Sequence, residues 1–359
     1  LPTTPRAADE RINWRTSAPF LAFHLIPLSA VVVGVTARAL IMCAVLYAVR
    51  MFFVTAGYHR YFSHRSYRLP RWAQLVMALG GTTAMQKGPL WWAAHHRDHH
   101  RYSDTDLDVH SPLRGFWWSH VGWILSDKHK GTDERRIRDL AKYPELRWVE
   151  RHDWVAPAAL AGASFLVGGL PGLVIGFGLS TVLLWHGTFL VNSLAHVMGR
   201  RRYATSDSSR NSWIIALLTH GEGWHNNHHH HQSSARQAHR WWEWDPSYYV
   251  LWGLSKVGIV RDLKRPSAHA LGSDLIDAGH FDLGMFRTRW HRAAARLAAA
   301  GHHAADAPGE RRQLLEDRIA AARGDVGAYL EAQRNALEEL AAIRRTARSL
   351  RPAPAGPAT

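Results

Sequence analysis

Residues 154–199 contain no Asp, Glu, Lys or Arg. A transmembrane helix needs about 20 mainly apolar residues, so this run is long enough to cross a bilayer twice. Gly168-Gly169-Leu170-Pro171-Gly172 lies in its middle and is a strong turn signal. Two earlier stretches share the character: residues 19–37, interrupted by His24, and residues 39–58, with the single charge Arg50. The pattern predicts an all-α integral membrane protein with four transmembrane helices arranged as two hairpins. A polar arm precedes the first run and a second span follows at once, so a cleaved leader is not expected.

Charge gives the sidedness. The two hairpin loops carry one positive charge between them, Arg38, and nearly all other Lys and Arg lie on the opposite side. By the positive-inside rule that side, with both termini, is cytoplasmic. The formal charge of +15 and pI of 10.5 would suggest nucleic acid in a soluble chain. Here the cations fit anionic headgroups at the membrane surface, and no nucleic-acid partner is expected. The mean hydropathy of −0.24 conceals this segregation. The single cysteine, Cys43, excludes an internal disulfide and a cysteine-ligated iron–sulfur cluster. Residues 1–17 read as an N-terminal cytosolic arm, 18–265 as the membrane domain with a cytosolic helical cap, 266–300 as a connecting segment and 301–359 as a helical extension. Apolar stretches at 72–85, 116–125 and 213–218 are too short to span and are assigned to the cap or its membrane-facing side. In the extension, Val326, Leu330, Leu337, Leu340 and Ile343 have amphipathic-helix spacing, and residues 351–359 are Pro/Ala-rich, the composition of a disordered end.

Eight histidines fall in three clusters: His59 and His64, then His96, His99 and His100, then His225, His228 and His229. Neutral imidazole is the commonest protein ligand for transition metals. Residues three and four apart share a helix face, so each H-x2-HH cluster can project together. The i, i+5 pair His59/His64 is turned by roughly 140° on a regular helix, which places it where a helix ends or tightens. An even number of crossings separates the clusters, so all three share the cytoplasmic face. Intramembrane polar residues are functional candidates, and Asn192 with His196 ends the fourth predicted span about 30 residues before the third cluster.

The sequence resembles the membrane fatty acyl-CoA desaturases of the stearoyl-CoA, or delta-9, type. The stretches that carry the resemblance are Gly57-Tyr-His-Arg-Tyr-Phe-Ser-His64, His96-Arg-Asp-His-His-Arg-Tyr-Ser-Asp-Thr-Asp106, Ser119-His-Val-Gly-Trp123, Asn192-Ser-Leu-Ala-His196 and Gly221-Glu-Gly-Trp-His-Asn-Asn-His-His229. It covers roughly residues 18–265 and leaves out the extension. It implies four transmembrane helices under a cap that holds two iron ions. One iron would take His59, His64, His96, His100 and His228, and the other His99, His196, His225 and His229, with Asn192 holding a water. The implied reaction removes two hydrogens from adjacent methylenes of a long acyl chain, at the delta-9 position, using O2 and two electrons.

Further expectations concern the surroundings of the histidines, the substrate and the electron supply. Asp98, Asp104, Asp106, Asp108 and Glu222 are candidates to orient the imidazoles. Met51 and Tyr47 lie roughly 12 and 18 Å down the second span from His59 and are candidate ends of an acyl tunnel. Gln86, Lys87 and Lys128 occupy the regions where the family contacts the head group. The chain has no fused haem or ferredoxin domain, so its electrons come from a separate donor of ferredoxin, cytochrome or flavin-reductase type. The substrate is a long-chain acyl-CoA or acyl-lipid, and the location a bacterial plasma membrane. A His-rich di-iron hydroxylase of alkanes or lipids is the nearest rival. A metal transporter would line a path across the midplane with its ligands, whereas these collect on one face.

Overall fold

A computed structural model of the protein describes residues 8–276. Residues 1–7 of the arm, most of the connecting segment and all of the C-terminal extension, with its amphipathic pattern, lie outside the described residues. The described chain is helical, and its only β pairing is in isolated bridges such as Arg68 with Arg261.

Helix α1 spans Trp14–Phe23 and starts at Asn13, whose side chain accepts a hydrogen bond from Thr16 N. Short helical turns carry it on to Val33, and Gly34 then reverses the chain at φ +79°. Helix α2, Ala37–Phe52, is capped by Thr36 and runs without interruption into a π-helix, Phe53–Ser63. Helices α3 (Arg71–Thr82), α4 (Pro89–Tyr102) and α5 (Pro144–Arg151) follow. The long apolar run then gives α6 (Val155–Pro171), a π-helical stretch (Gly172–Leu179) and α7 (Ser180–Asn192). The remaining helices used below are α8 (Trp213–Leu218), α9 (His225–His230) and α10 (Pro246–Lys256). The short apolar stretches at 72–85 and 213–218 are thus helices α3 and α8, and 116–125 holds a single π turn, Trp118–Gly122.

Among the described residues, three helical stretches are long and apolar enough to cross a membrane: Trp14–Val33, Ala37–Ser63 and Val155–His196. The last has 42 residues and is not straight. Gly169 takes φ 61°, ψ −154°, a conformation open to glycine and strained for other residues. A straight helix would hold residues 164 and 172 about 12 Å apart, yet a Cβ on Gly172 would run into the carbonyl of Ser164. The chain therefore folds back at the Gly-Gly-Leu-Pro-Gly signal. Arg38 Nη1 donates to the Val167 carbonyl at 3.3 Å, so this reversal and the Gly34 turn lie at one end of the bundle. The outward faces are apolar: Val31 is 89% exposed and Leu166 84%.

Arg50, the one charge in its span, is buried and uses its donors within the bundle. It reaches the carbonyls of Leu46 and Thr83 and the hydroxyls of Ser180 and Thr181. That satisfies a group whose unpaired burial would be costly, and it ties α2 to the ends of α3 and of the second π stretch. The main core lies around the Phe53–Ser63 π-helix, where Tyr58 and Phe62 belong to one cluster with Met77, Leu90, Ile137, Leu146 and Leu251. Gly81 admits the π-helix to this core, since a Cβ there would strike the Tyr58 ring.

Candidate metal centre

The π-helix explains the i, i+5 pair. The helix ends at the cluster, as the sequence reading expected, but it widens there rather than tightens. His64 N donates to the His59 carbonyl at 3.2 Å, the i→i+5 bond of a π-helix. At that pitch residues five apart are separated by roughly 50° instead of 140°. The two rings stand 4.7 Å apart between centroids.

Helix geometry then distributes the two H-x2-HH clusters, and each is split between two groups. On α4, His96 and His100 share a face and their Nε2 atoms lie 3.0 Å apart, while His99 points to the other group. On α9, His225 and His229 share a face and His228 crosses over. The outcome is two nests of ring nitrogens: His59, His64, His96, His100 and His228 in group 1, and His99, His196, His225 and His229 in group 2. Within each, the ligand atoms lie within 4.8 Å of one another. In group 1, Nε2 atoms approach at 3.0 Å (His59/His228), 2.8 Å (His64/His96) and 2.9 Å (His228/His100). In group 2 the separations are 3.1 Å (His196/His225) and 3.4 Å (His99/His229).

These distances do not describe imidazoles bonded to one another. Glu222 lies 2.7 Å from His59 Nδ1, Asp108 2.9 Å from His99 Nδ1, Asp104 3.2 Å from His196 Nδ1 and Asp207 2.8 Å from His229 Nδ1. A carboxylate only accepts, so each Nδ1 carries the proton and each Nε2 presents a lone pair. His99 and His229 therefore aim two lone pairs at each other. A cation between them removes the repulsion. Metal–imidazole bonds of about 2.1 Å place neighbouring nitrogens about 3.0–3.4 Å apart. The donor set thus fits a transition metal in each nest.

Burial supports the same protonation states. It pushes His96, His100, His225 and His228 well below the usual imidazole range, and neighbouring imidazoles push further. These rings are neutral, as metal binding requires. Burial alone would raise the four carboxyls. His59 and Arg60 instead bring Glu222 down to about 2, His99 and His110 hold Asp108 low, and His229 and His196 hold Asp207 well below the carboxylate range. Asp104 is lowered by His196 against the same burial. Arg60 joins Glu222 (3.0 Å) to Asp245 (2.8 Å) beneath His59. Asn226 accepts from the Arg202 and Tyr203 backbone at 2.7 Å, and Asn227 donates to Glu243 at 3.1 Å, which fixes α9 in rotation.

Of the candidate orienting acids, Asp104, Asp108 and Glu222 lie against ligand histidines. Asp98 pairs with Arg136 at 2.6 Å instead, and Asp106 is exposed. Asp207 is the acid that sequence reasoning missed. It stands 22 positions before His229 in a loop. His110 was also missed, and its ring centroid lies 4.2 Å from that of His99.

A cavity of about 450 Å³ adjoins group 1. His96 and Asn192 contribute to its wall, together with Phe20, Phe23, Trp92, Trp185 and Phe189. Gln86 and Lys87 line it too, and so does Lys130. Gln86 Nε2 donates to Thr188 Oγ1 at 2.8 Å, a polar bridge between α7 and the loop before α4. Three candidate contact residues do not line it. Lys128 is paired with Glu10 at 2.5 Å. Tyr47 donates to the Leu218 carbonyl at 2.8 Å. Met51 is fully buried in the cluster that holds Trp185 and Phe189. The cavity wall at that level is made by aromatic residues of α1 and α7.

A helical bundle with stretches long and apolar enough to cross a membrane, carrying two all-imidazole nests that could each hold a metal ion beside a largely apolar cavity, fits a class of histidine-rich enzymes that act on lipid chains. The sequence model of the fatty acid desaturase family matches residues 36–256. The chain belongs to that family. It is 39% identical over 217 residues to a chloroplastic palmitoyl-monogalactosyldiacylglycerol delta-7 desaturase of Arabidopsis thaliana, covering 60% of this chain and 58% of the relative. It is 41% identical over 234 residues to an acyl-CoA C20 delta-5 desaturase of Anemone leveillei, covering 63% and 74%. With an sn-1 stearoyl-lipid 9-desaturase of Anabaena variabilis it shares 36% identity over 265 residues, covering 73% and 97%. The chain thus spans about three fifths of the first relative's length and nearly all of the last.

Proposed function

We propose that the chain is an O2-dependent desaturase that introduces a cis double bond at the delta-9 position of a long-chain acyl substrate, an acyl-CoA before an acyl-lipid. The observation that carries this reading is the junction of group 1 with an apolar cavity through His96, in a wall that Asn192 shares. Two irons are the metals the reading assigns to the nests, with Asn192 holding a water beside the second. They would supply the activation of O2 that removes hydrogens no side-chain base can take.

The remaining work belongs to the chain's own residues. Glu222, Asp108, Asp104 and Asp207 keep the Nε2 lone pairs turned inward. Phe20, Phe23, Trp185 and Phe189 hold an apolar chain and exclude water from it. The Gln86–Thr188 bridge gives the cavity wall a fixed polar point against which an acyl chain can be positioned. Lys87 and Lys130 give the cavity cations for an anionic head group.

The protein is read as multi-pass in a plasma membrane, with four spans in two hairpins. Support comes from the Gly169 reversal and from Arg38, which holds both turns at the end away from the histidines. The Lys/Arg distribution supports a cytoplasmic position for the nests and the cap by the positive-inside rule. Two electrons per double bond come from a separate carrier.

The test is expression in a host that makes no unsaturated fatty acids and supplies active reductase, with double-bond position read by mass spectrometry. A new delta-9 double bond is expected, and it should be absent in His96→Ala. Saturated lipids alone in the parent strain would defeat the proposal.

A further inference from the structure

Group 1 has a second open side. Group 2 is buried at all four ligands, but His64, His96 and His100 of group 1 are only partly buried. His96 faces the acyl cavity. His64 and His100 face a different one, a basin of about 600 Å³ whose wall includes Arg97, Arg101, Arg135 and Arg136. Among the described residues, no apolar side chain lines this basin.

We propose that this basin is the docking surface for a small acidic one-electron carrier protein, and that electrons reach the centre through the His64 and His100 rings at its floor. The proposal rests on the desaturase reading above. In that reaction a saturated carbon pair gives up two hydrogens. O2 takes these, two electrons and two protons, and leaves as two waters. The carrier is the reductant, oxidised by one electron in each of two encounters.

Charge, position and lining select this occupant. The basin and the ion pairs at its edge hold five guanidinium groups, of Arg65, Arg97, Arg101, Arg135 and Arg136. Three carboxylates face them, those of Asp98, Asp133 and Asp139, which leaves a positive excess. Arg101 is exposed and has no carboxylate within ion-pair distance among the described residues. An acidic surface meeting such a basin gains in association rate and orientation. Two of the five group-1 imidazoles form the floor, so a docked carrier comes within one ring of the metal position. Membrane lipid is the poorer occupant. The apolar faces suited to lipid lie elsewhere, as at exposed Trp213, Ile214 and Leu217 of α8. The acyl head group is also provided for, since the acyl cavity has Lys87 and Lys130.

The test uses the full chain, purified in detergent and loaded with iron. Binding of fluorescently labelled plant-type [2Fe–2S] ferredoxin and of soluble cytochrome b5, both acidic, is measured across a salt series. The parent chain should bind one of them with an affinity that falls as salt rises. Charge reversal at two exposed rim positions, Arg101→Glu with Arg135→Glu, should raise Kd at least about tenfold and flatten the salt dependence. The conservative pair Arg101→Lys with Arg135→Lys should keep both. Iron per chain and single-turnover conversion with dithionite, which needs no docking surface, separate this proposal from the desaturase reading. If neither carrier binds the parent, or if the charge-reversed chain binds as the parent does, the docking proposal is overturned while dithionite-driven conversion upholds the desaturase. Charge-dependent binding by a chain that forms no double bond with dithionite would sink the desaturase reading and the basin's electron role with it.

Discussion

Asp207 offers the sharpest test of how the centre is held. Its Oδ2 lies 2.8 Å from His229 Nδ1, and both groups are buried. Thr205 Oγ1 (3.1 Å) and Ser209 N (2.9 Å) donate to its other oxygen, so the carboxylate is fixed independently of the histidine. Asp207→Asn keeps the shape and an accepting oxygen but removes the charge. A hydrogen bond to a charged partner contributes about 1.5–3 kcal/mol and one between neutral groups about 0.5–1.5 kcal/mol. The difference, about 1–2 kcal/mol, corresponds to roughly 5–30-fold in metal affinity. Loss of such an outer partner at metal sites in general costs about 10–100-fold. The two ranges overlap at about 10–30-fold, which is the expected weakening of the group-2 metal alone. Iron per chain, measured against a graded series of competing chelator, reads it directly. Asp207→Asn should lose one iron at about 10–30-fold lower chelator and hold the other as the parent does. Asp106→Asn, at an exposed acid between Asp104 and Asp108, should change nothing. Coincident curves for Asp207→Asn and the parent would refute the claim that the carboxylate fixes the ligand.

Three shorter predictions follow from other parts of the fold. Gly81→Ala drives a methyl into the Tyr58 ring, one residue before His59, and overpacking of this kind costs about 1–3 kcal/mol. Thermal melts in detergent should show a lower Tm, and an unchanged Tm would mean α3 moves aside freely. Trp185→Ala opens the aromatic wall of the cavity, so the fatty acid profile should shift toward longer unsaturated products than the parent makes. Glu10 is buried, which alone would raise its carboxyl, but Arg114 and Lys128 bring it down to about 2. A depressed carboxyl stabilises the fold above its unfolded value near 4.5, and that contribution is lost as pH falls toward 2. Glu10→Gln should therefore flatten the loss of stability between those pH values, read by denaturant unfolding at each pH.

The apolar helical stretches and the histidines were legible in the sequence for different reasons. Apolar length and the Gly-Gly-Leu-Pro-Gly signal are local, so the reversal at Gly169 could be placed in advance. Asp104, Asp108 and Glu222 stand within a few positions of a His cluster, and proximity in sequence made them candidates. Asp207 had no such neighbour: a loop brings it to His229 from 22 positions away. The π-helix left no trace either, because residues 53–63 contain nothing that distinguishes i→i+5 from i→i+4 bonding. Helical rise placed Met51 and Tyr47 at a depth below His59 but said nothing of azimuth. The structure turns Tyr47 toward Leu218, and a Cβ on Gly187 would meet both Tyr47 and Met51. The cavity wall fell to α1 and α7 instead.

The two nests also differ in a way that a count of histidines conceals. Three carboxylates stand behind group 2, at His99, His196 and His229. One stands behind group 1, at His59, and Arg60 shares its charge. The buried Nδ1 atoms of His100 and His228 in group 1, and of His225 alone in group 2, have no hydrogen-bond partner among the described residues. Group 2 is thus the more anionic nest and the more enclosed, since all four of its ligands are buried. Both properties slow the release of a cation. Group 1 opens on a cavity at His96 and on a basin at His64 and His100. Chelation of the iron-loaded protein should therefore be biphasic, with one iron leaving at least about ten times faster than the other. Stopped-flow mixing with a coloured chelator follows both phases. Asp207→Asn should speed the slow phase and leave the fast one alone. A single phase that carries both irons in the parent would mean that enclosure and carboxylate support do not govern how these nests hold metal.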